Sequence, residues 1–144
     1  MYIISACLLG EDCKYNGGNN DCPAVRKLAK EHSHIAVCPE VAGGFSVPRP
    51  PVELRGGRAF RPNGEDVTEG FYTGAEAVWA EASSKAAAAG EAIELAILKA
   101  KSPSCGAGKI YDGTFTGKTI PGDGILAAFL KKKGISVITE EDVK

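Results

Sequence analysis

The stretch YIISACLLG, residues 2–10, decides the fold, because a short apolar run typical of a buried strand ends there at Cys7 and a glycine. Two later stretches repeat this pattern: HIAVCPE, residues 34–40, contains Cys38, and AILKAKSPSCG, residues 96–106, contains Cys105. If the three strands are parallel, their carboxyl ends lie at one edge of one sheet, where ligands bind in open α/β folds. The sequence therefore predicts a metal or cluster site built from distant residues.

The composition is that of an ordinary globular protein. The chain has 144 residues, of which 44% are hydrophobic and 24% charged, and its net charge is -1. We expect one domain over residues 1–144, with neither a nucleic acid polymer nor a membrane as partner. The first strand begins without a basic leader, so we expect a cytoplasmic protein. In that compartment five cysteines are better interpreted as thiols, metal ligands or redox groups than as disulfides.

The order of predicted elements defines the fold class. Strands are predicted at 1–7, 35–38, 92–98 and 135–138, with a small hairpin through 111–113. Helices are predicted from an Asp21 cap to about His32, from a Thr68 cap to about Ala89, and from an Asp123 cap to a Gly134 C-cap. Residues 39–64 form a long, Pro- and Gly-rich excursion. We predict a three-layer α/β domain, Rossmann-like, with a small, mainly parallel four-stranded sheet in the order 2-1-3-4.

A cysteine at the end of a strand is often only a small buried hydrophobic residue. Turn residues beside each thiol favour a site, because Pro39 follows Cys38 and Cys105 lies in Ser-Pro-Ser-Cys-Gly. Zinc and iron-sulfur clusters both accept thiolates, and three thiolates leave one coordination position open. Cys13 and Cys22 are candidates for a fourth ligand. Alternatively Cys22 is a reactive thiol, because it falls in the first turn of a helix, where a thiol ionises more readily.

Groups capable of acid-base chemistry accompany the thiols. Glu40 follows Cys38 by two residues and is a candidate general acid or base, the alternative being a solvent-facing loop glutamate. Ser102 and Ser104 flank Pro103 and are candidates for hydrogen bonds to a substrate or to cluster sulfur, unless they only form the turn.

Basic residues concentrate in the long excursion. The arginines there are Arg49, Arg55, Arg58 and Arg61, and Lys99 and Lys101 flank the end of the third strand. This pattern predicts either a positive surface for a phosphate or carboxylate, or a solvated loop face.

Several motifs in the same order resemble one known family. They are SACLLG at 5–10, CKYNG at 13–17, CPE at 38–40, PRPP at 48–51, DVT at 66–68, KSPSCG at 101–106 and YDG at 111–113. They resemble the bacterial domain-of-unknown-function family numbered 523, which includes the thiouracil desulfidases. The similarity runs from about Ser5 to Thr139, nearly the whole chain.

The resemblance implies a [4Fe-4S] cluster bound by Cys7, Cys38 and Cys105, with the fourth iron free to bind the sulfur of a thiocarbonyl compound. It implies that Glu40 activates a water to attack the carbon, and that Ser102 assists proton transfer or positioning. The substrate would be a thiolated pyrimidine base, nucleoside or nucleotide, cleaved without net redox change.

By the same resemblance Cys13 and Cys22 are not ligands. Arg49, which we expect to shape the pocket or to contact a nucleotide phosphate, and Ser104 are candidate substrate-binding residues. Two other functions stay open. One is a non-catalytic module that binds zinc or an iron-sulfur cluster, and the other is a metal-free thiol enzyme with Cys13 or Cys22 as nucleophile.

Overall fold

A four-stranded parallel sheet forms the centre of the computed structural model, which describes residues 1–143. The strands of the chain are β1 (Tyr2–Ser5), β2 (His34–Val37), β3 (Glu53–Arg55), β4 (Arg58–Phe60), β5 (Leu95–Leu98), β6 (Lys109–Tyr111), β7 (Thr119–Pro121) and β8 (Ser136–Thr139). The helices are α1 (Pro23–Glu31), α2 (Pro39–Ala42), α3 (Thr68–Ala88) and α4 (Ile125–Lys132). Short 3-10 segments follow β1, at Ala6–Leu9, and β8, at Glu140–Asp142.

The strand order of the central sheet is β2-β1-β5-β8, and every neighbouring pair is parallel. The predicted order of the four central strands is therefore confirmed, as is the α/β class. In register, Ile4 of β1 lies beside Ile97 of β5, and Ile97 lies beside Ile138 of β8. From β1 the chain adds β2 on one side and later β5 on the other, so the winding direction changes between β1 and β5. Such a switch point is where α/β proteins bind ligands.

Helices cover both faces of the sheet, which explains why its strands are continuous apolar runs. On one face Ile3 packs in a core cluster with Phe71 and Val78 of α3 and Leu126 of α4. On the other face the core contains Ile4, Ile97, Leu8, and Val25 and Ala29 of α1. These two clusters are the two interfaces of a three-layer domain.

Several predicted boundaries were wrong by a few residues. The first strand ends at Ser5 because the chain turns into the 3-10 segment, which Gly10 ends with a φ of 89°. The third strand begins at Leu95 rather than Ala92, and the fourth spans Ser136–Thr139.

The predicted helix caps also differ from the structure. Asp21 pairs with Arg26 instead of capping α1, and Asp123 accepts hydrogen bonds from the Gly108 amide and Lys131 Nζ. Thr68 is the first residue of α3 rather than its cap, and Asp66 accepts hydrogen bonds from both its amide and its hydroxyl. These two bonds and Arg58 lower the pKa of Asp66 to about 2.

The excursion at 39–64 contains secondary structure that the sequence pattern did not predict. It includes the single turn α2 and the antiparallel hairpin β3–β4, whose turn uses Gly56 and Gly57 at φ 56° and 79°. Strands of three residues are too short to show a period-2 pattern. A hairpin is present near Tyr111, as predicted, but its loop spans 112–118 rather than 111–113, and its second strand is β7. Among residues 1–143, no helix is long and apolar enough to cross a membrane.

Candidate active site

The carboxyl ends of β1, β2 and β5 border one cavity of about 640 Å³. The proposed cluster ligands, acid-base residues and substrate-binding residues all line it: Cys7, Cys38, Cys105, Glu40, Arg49, Ser102 and Ser104. Cys13 lines it as well, whereas Cys22 lies at the start of α1 against the core cluster of that helix. The topology has thus brought together side chains from sequence positions nearly 100 residues apart, as parallel strands predict.

Cys7 and Cys105 are the more buried thiols of the site. Cys7 lies in the 3-10 segment after β1, and burial raises its pKa. Burial also raises the pKa of Cys105, to about 12. Cys105 Sγ accepts a hydrogen bond from the buried Ser5 Oγ at 3.3 Å. Burial disfavours the charged thiolate, so a buried thiolate needs hydrogen-bond donors or a bound cation to offset that cost.

Cys38 has a different environment from the other two cysteines. It occupies the N-cap position of α2, and its Sγ lies 3.9 Å from the carbonyl oxygen of Cys13. A hydrogen bond from the Cys13 thiol is the largest cause that lowers the pKa of Cys38, to about 6. The same contact raises the pKa of Cys13 above its usual range. Cys13 and Cys38 are therefore close neighbours in the cavity wall.

Glu40 is fixed in the cavity wall by two charged or polar partners. It belongs to the first turn of α2, and its Oε1 accepts a 3.0 Å hydrogen bond from Arg49 Nε. The side chains of Glu40 and Arg49 are 13% and 5% exposed, so this ion pair is largely shielded from water. The remaining guanidinium nitrogens of Arg49 donate to the carbonyl oxygens of Ser46 and Cys13. Arg49 therefore joins Glu40 to the loop that carries Cys13.

A chain of hydroxyl groups connects Glu40 to the turn that carries Cys105. Ser104 Oγ donates to Glu40 Oε2 at 2.9 Å, and Ser102 Oγ lies 3.0 Å from Ser104 Oγ. Since a hydroxyl has one proton, Ser104 donates to the carboxylate and accepts from Ser102. Ser102 Oγ in turn accepts from the backbone amides of Ser104 and Cys105. The order Ser102, Ser104, Glu40 is a continuous path for a proton.

The Ser-Pro-Ser-Cys turn is fixed by the first residues of α4. The Ile125 amide donates to the Pro103 carbonyl, and the Leu126 amide donates to the Ser104 carbonyl at 2.8 Å. Helix N-termini have free N–H groups, and here the turn satisfies them in place of a capping side chain. A Cβ on Gly124 would lie 2.5 Å from the carbonyl carbon of Ser104, so the close approach requires glycine.

The position of α2, and hence of Cys38 and Glu40, depends on a glycine of α3. A Cβ on Gly74 would lie 1.9 Å from the carbonyl oxygen of Pro39, which is closer than real contacts permit. Glycine normally weakens a helix interior by about 1 kcal/mol relative to alanine. Glycine is required at position 74 because the backbone of α2 lies directly against it.

The predicted positive surface is not formed by the four arginines together. Only Arg49 of this set lines the cavity, where Glu40 pairs with it. Arg58 pairs with Asp66 and Arg61 with Glu65, while the Arg55 guanidinium lies 4.6 Å from the Phe60 ring centroid. The acidic partners Glu65 and Asp66 directly follow the excursion in sequence.

Sequence reasoning missed several polar and aromatic residues that line the cavity. Ser5, Asn20, Glu53 and Phe115 all belong to this group. Asn20 gives a hydrogen bond that lowers the pKa of Cys7, against the larger effect of burial. Ser5 was the one detectable candidate, because it is a polar residue within an apolar strand.

The donor chemistry distinguishes between kinds of metal centre. Thiolates on one zinc ion lie within about 4 Å of one another, given Zn–S bonds of about 2.3 Å. Within residues 1–143, no three His, Cys, Asp or Glu side chains are grouped closely enough for a single ion. Iron-sulfur clusters accept thiolates, and here three thiols come from three separate turns around one large cavity.

Comparisons with known proteins agree with this geometry. The sequence profile of the family described as 2-thiouracil desulfurase matches residues 2–142. An uncharacterised protein of Bacillus subtilis (strain 168), YbbK, is 42% identical over 153 aligned positions, which cover 99% of this chain and 97% of that protein.

A solved structure shares both the fold and much of the sequence. It is that of the [4Fe-4S]-dependent thiouracil desulfidase TudS, which is 42% identical and superposes with a TM-score of 0.83. The match covers 97% of this chain and 90% of the TudS chain. The family profile spans nearly all of the described residues, and the chain belongs to the 2-thiouracil desulfurase family.

Proposed function

We propose that the protein is a [4Fe-4S]-dependent desulfidase that removes sulfur from thiolated pyrimidines by hydrolytic, non-redox cleavage of the carbon-sulfur bond. The observation that carries the proposal is one cavity containing both the three strand-end thiols and the Glu40, Ser104 and Ser102 chain. Family membership and the similarity to TudS support the same chemistry.

Cys7, Cys38 and Cys105 are the residues that bind the cluster in this proposal. Cys7 and Cys38 lie within two residues of the ends of β1 and β2, and Cys105 lies in the turn between β5 and β6. Ser5 donates a hydrogen bond to the sulfur of Cys105. Cys13 then serves as a neighbour of Cys38 rather than as a ligand. When bound, the cluster would supply Lewis-acid chemistry suited to polarising a C=S bond.

Glu40 is the general base in this proposal. Its Oε1 is bound to Arg49, so the orientation of the carboxylate is fixed before a water arrives. Ser104 and Ser102 then move the proton away from Glu40 or return it to the substrate. Overall, a thiocarbonyl compound and one water give a carbonyl compound, hydrosulfide and a proton, so no electron donor is needed.

Thiouracil, thiouridine and its nucleotide form the substrate class that we propose. A cavity of about 640 Å³ is in the range that accommodates ligands larger than a free base. Lys14 and Lys99 also line it, although Lys99 Nζ already pairs with Glu140 at 2.9 Å. A small thiolated compound, rather than a nucleic acid polymer or a membrane, is the proposed partner, and the cytoplasm is the proposed compartment.

Turnover of thiolated pyrimidines tests the proposal. Protein reconstituted with iron and sulfide without oxygen is incubated with 2-thiouracil, 4-thiouracil, 4-thiouridine and 4-thiouridine monophosphate, and the oxo product and sulfide are both measured. We expect equal amounts of the two from at least one compound, and none with a Cys7→Ser variant. Loaded protein that converts no member of this set would contradict the desulfidase proposal and favour a binding module.

A further inference from the structure

One aromatic residue lies where it would contact the substrate. This role rests on the proposed function. We propose that Phe115 is the surface on which the pyrimidine ring stacks, and that Glu53 is the positioning residue that fixes Phe115 at the cavity. Neither residue belongs to the thiol turns or to the acid-base chain described above.

Phe115 lines the same cavity as the thiols but comes from a different wall. It lies in the loop between β6 and β7, is half-buried, and lines the cavity together with Tyr111, Pro51 and Val52. These four residues are apolar or aromatic, whereas the thiols, the Glu40 carboxylate and the serine hydroxyls come from the turns at the sheet edge. A flat heterocycle with one reactive sulfur needs both kinds of surface.

The backbone of Phe115 adopts a conformation that side chains other than glycine rarely occupy. Its φ is 57°, in the left-handed region, where glycine would be less strained. A bulky aromatic residue at such a position requires support from its surroundings, and such positions cluster at functional sites. The ring at the cavity, rather than the turn itself, accounts for phenylalanine here.

Glu53 provides that support from β3. Its Oε1 accepts hydrogen bonds from the Gly113 amide at 3.0 Å and from the Phe115 amide at 3.1 Å. One carboxylate oxygen thus fixes both sides of Thr114, and the Thr114 hydroxyl and amide are in turn bonded to Asp112. The loop is therefore fixed relative to the cavity before any ligand binds.

Packing at Gly113 strengthens the same attachment. A Cβ there would lie 1.9 Å from Arg55 Cγ and 2.9 Å from the Leu54 carbonyl oxygen, and the residue has a φ of 90°. The loop consequently lies directly on β3. Preorganised aromatic surfaces bind flat rings with little loss of conformational freedom.

The test compares two ligands that differ in aromaticity. Uracil and 5,6-dihydrouracil present the same amide groups, but only uracil is aromatic, and neither is converted. Their affinities are measured calorimetrically on the cluster-reconstituted protein. We expect the wild type to bind uracil about tenfold more tightly, as base stacking on one aromatic side chain allows. We expect Phe115→Leu to lose this preference and Phe115→Tyr to keep it.

Variants of Glu53 separate positioning from simple stability. Glu53→Gln keeps an oxygen that accepts from both amides, so its preference for uracil should stay within about twofold of the wild type. Glu53→Ala should lose the preference for uracil over 5,6-dihydrouracil. With thiouracil as substrate, this variant should have a raised KM rather than a lowered kcat. Equal preference in the wild type and Phe115→Leu would overturn the inference.

The binding experiment is independent of turnover. Failure of the proposed function would appear as loaded wild-type protein that binds uracil yet converts no thiolated pyrimidine. Wild-type protein that does not bind uracil at all would overturn the stacking role itself.

Discussion

Glu40 Oε2 accepts a 2.9 Å hydrogen bond from Ser104 Oγ, although the two residues are 64 positions apart in sequence. Ser104 is 3% exposed and precedes Cys105 directly. The bond therefore ties the proposed general base, after the end of β2, to the thiol turn after β5. In our account this contact makes a single active site from two separate turns.

Replacing Glu40 by glutamine should abolish turnover while leaving the cluster intact. Glutamine keeps an oxygen for Arg49 Nε but cannot take a proton from water, and general-base catalysis contributes about 100-fold or more. We expect kcat to fall at least about 100-fold with unchanged iron content. Glu76→Gln, at an exposed position of α3, is the control. A kcat near the wild-type value would remove Glu40 from the mechanism.

The hydroxyl chain predicts non-additive effects at Ser102 and Ser104. Because the two hydroxyls are in series, interrupting either one breaks the whole path, and a second change has little left to remove. The measurement is kcat for Ser102→Ala, Ser104→Ala and the double variant. We expect the double variant to be close to the slower single variant. Independent, multiplied effects would mean that the two serines do not act in one relay.

Replacing Arg49 by lysine should destabilise the protein, although the charge is kept. Arg49 donates from three nitrogens to Glu40, Ser46 and Cys13, and a lysine ammonium does not reproduce this planar geometry. Because the Arg49 side chain is only 5% exposed, we expect Arg49→Lys to lower the free energy of unfolding by about 1–3 kcal/mol. Arg26→Lys, whose side chain is 43% exposed, should cost less than about 0.5 kcal/mol. Urea titrations in which both variants lose equal stability would contradict this role.

Gly74→Ala should destabilise the protein despite the higher helix propensity of alanine. The added methyl group meets the Pro39 carbonyl oxygen, so α2 must shift, and overpacking of this kind costs about 1–3 kcal/mol. Because α2 carries Glu40, kcat should fall as well. Ser84→Ala, at an exposed position of the same helix, should be neutral or slightly stabilising. A Gly74→Ala protein as stable as Ser84→Ala would show that α2 is not fixed by this contact.

The sheet was predictable from the sequence because its strands are apolar runs that end in recognisable turns. Strand order followed from the parallel connections, and the convergence of Cys7, Cys38 and Cys105 on one cavity followed from strand order. The roles of these three residues as ligands stay a prediction. Glu40 and Ser102 were identifiable because they lie within two or three residues of a cysteine in sequence.

Other features depend on contacts between segments that local pattern does not encode. The function of Gly74 appears only when α2 lies against α3, and Asp123 bonds Gly108 rather than capping its own helix. Glu53 is an ordinary glutamate in sequence, and only the β3 to β6–β7 packing gives its carboxylate two amides to accept. Tertiary structure in these cases overrides the local preference.

Iron and acid-labile sulfide per chain, measured after reconstitution without oxygen, test the central claim most directly. The comparison includes Cys7→Ser, Cys38→Ser and Cys105→Ser, with Cys13→Ser and Cys22→Ser as matched controls. We predict about four of each element in the wild type and both controls, and a sharp loss in each of the three ligand variants. Zinc in place of iron, or full iron content in any of the three ligand variants, would contradict the three-cysteine cluster.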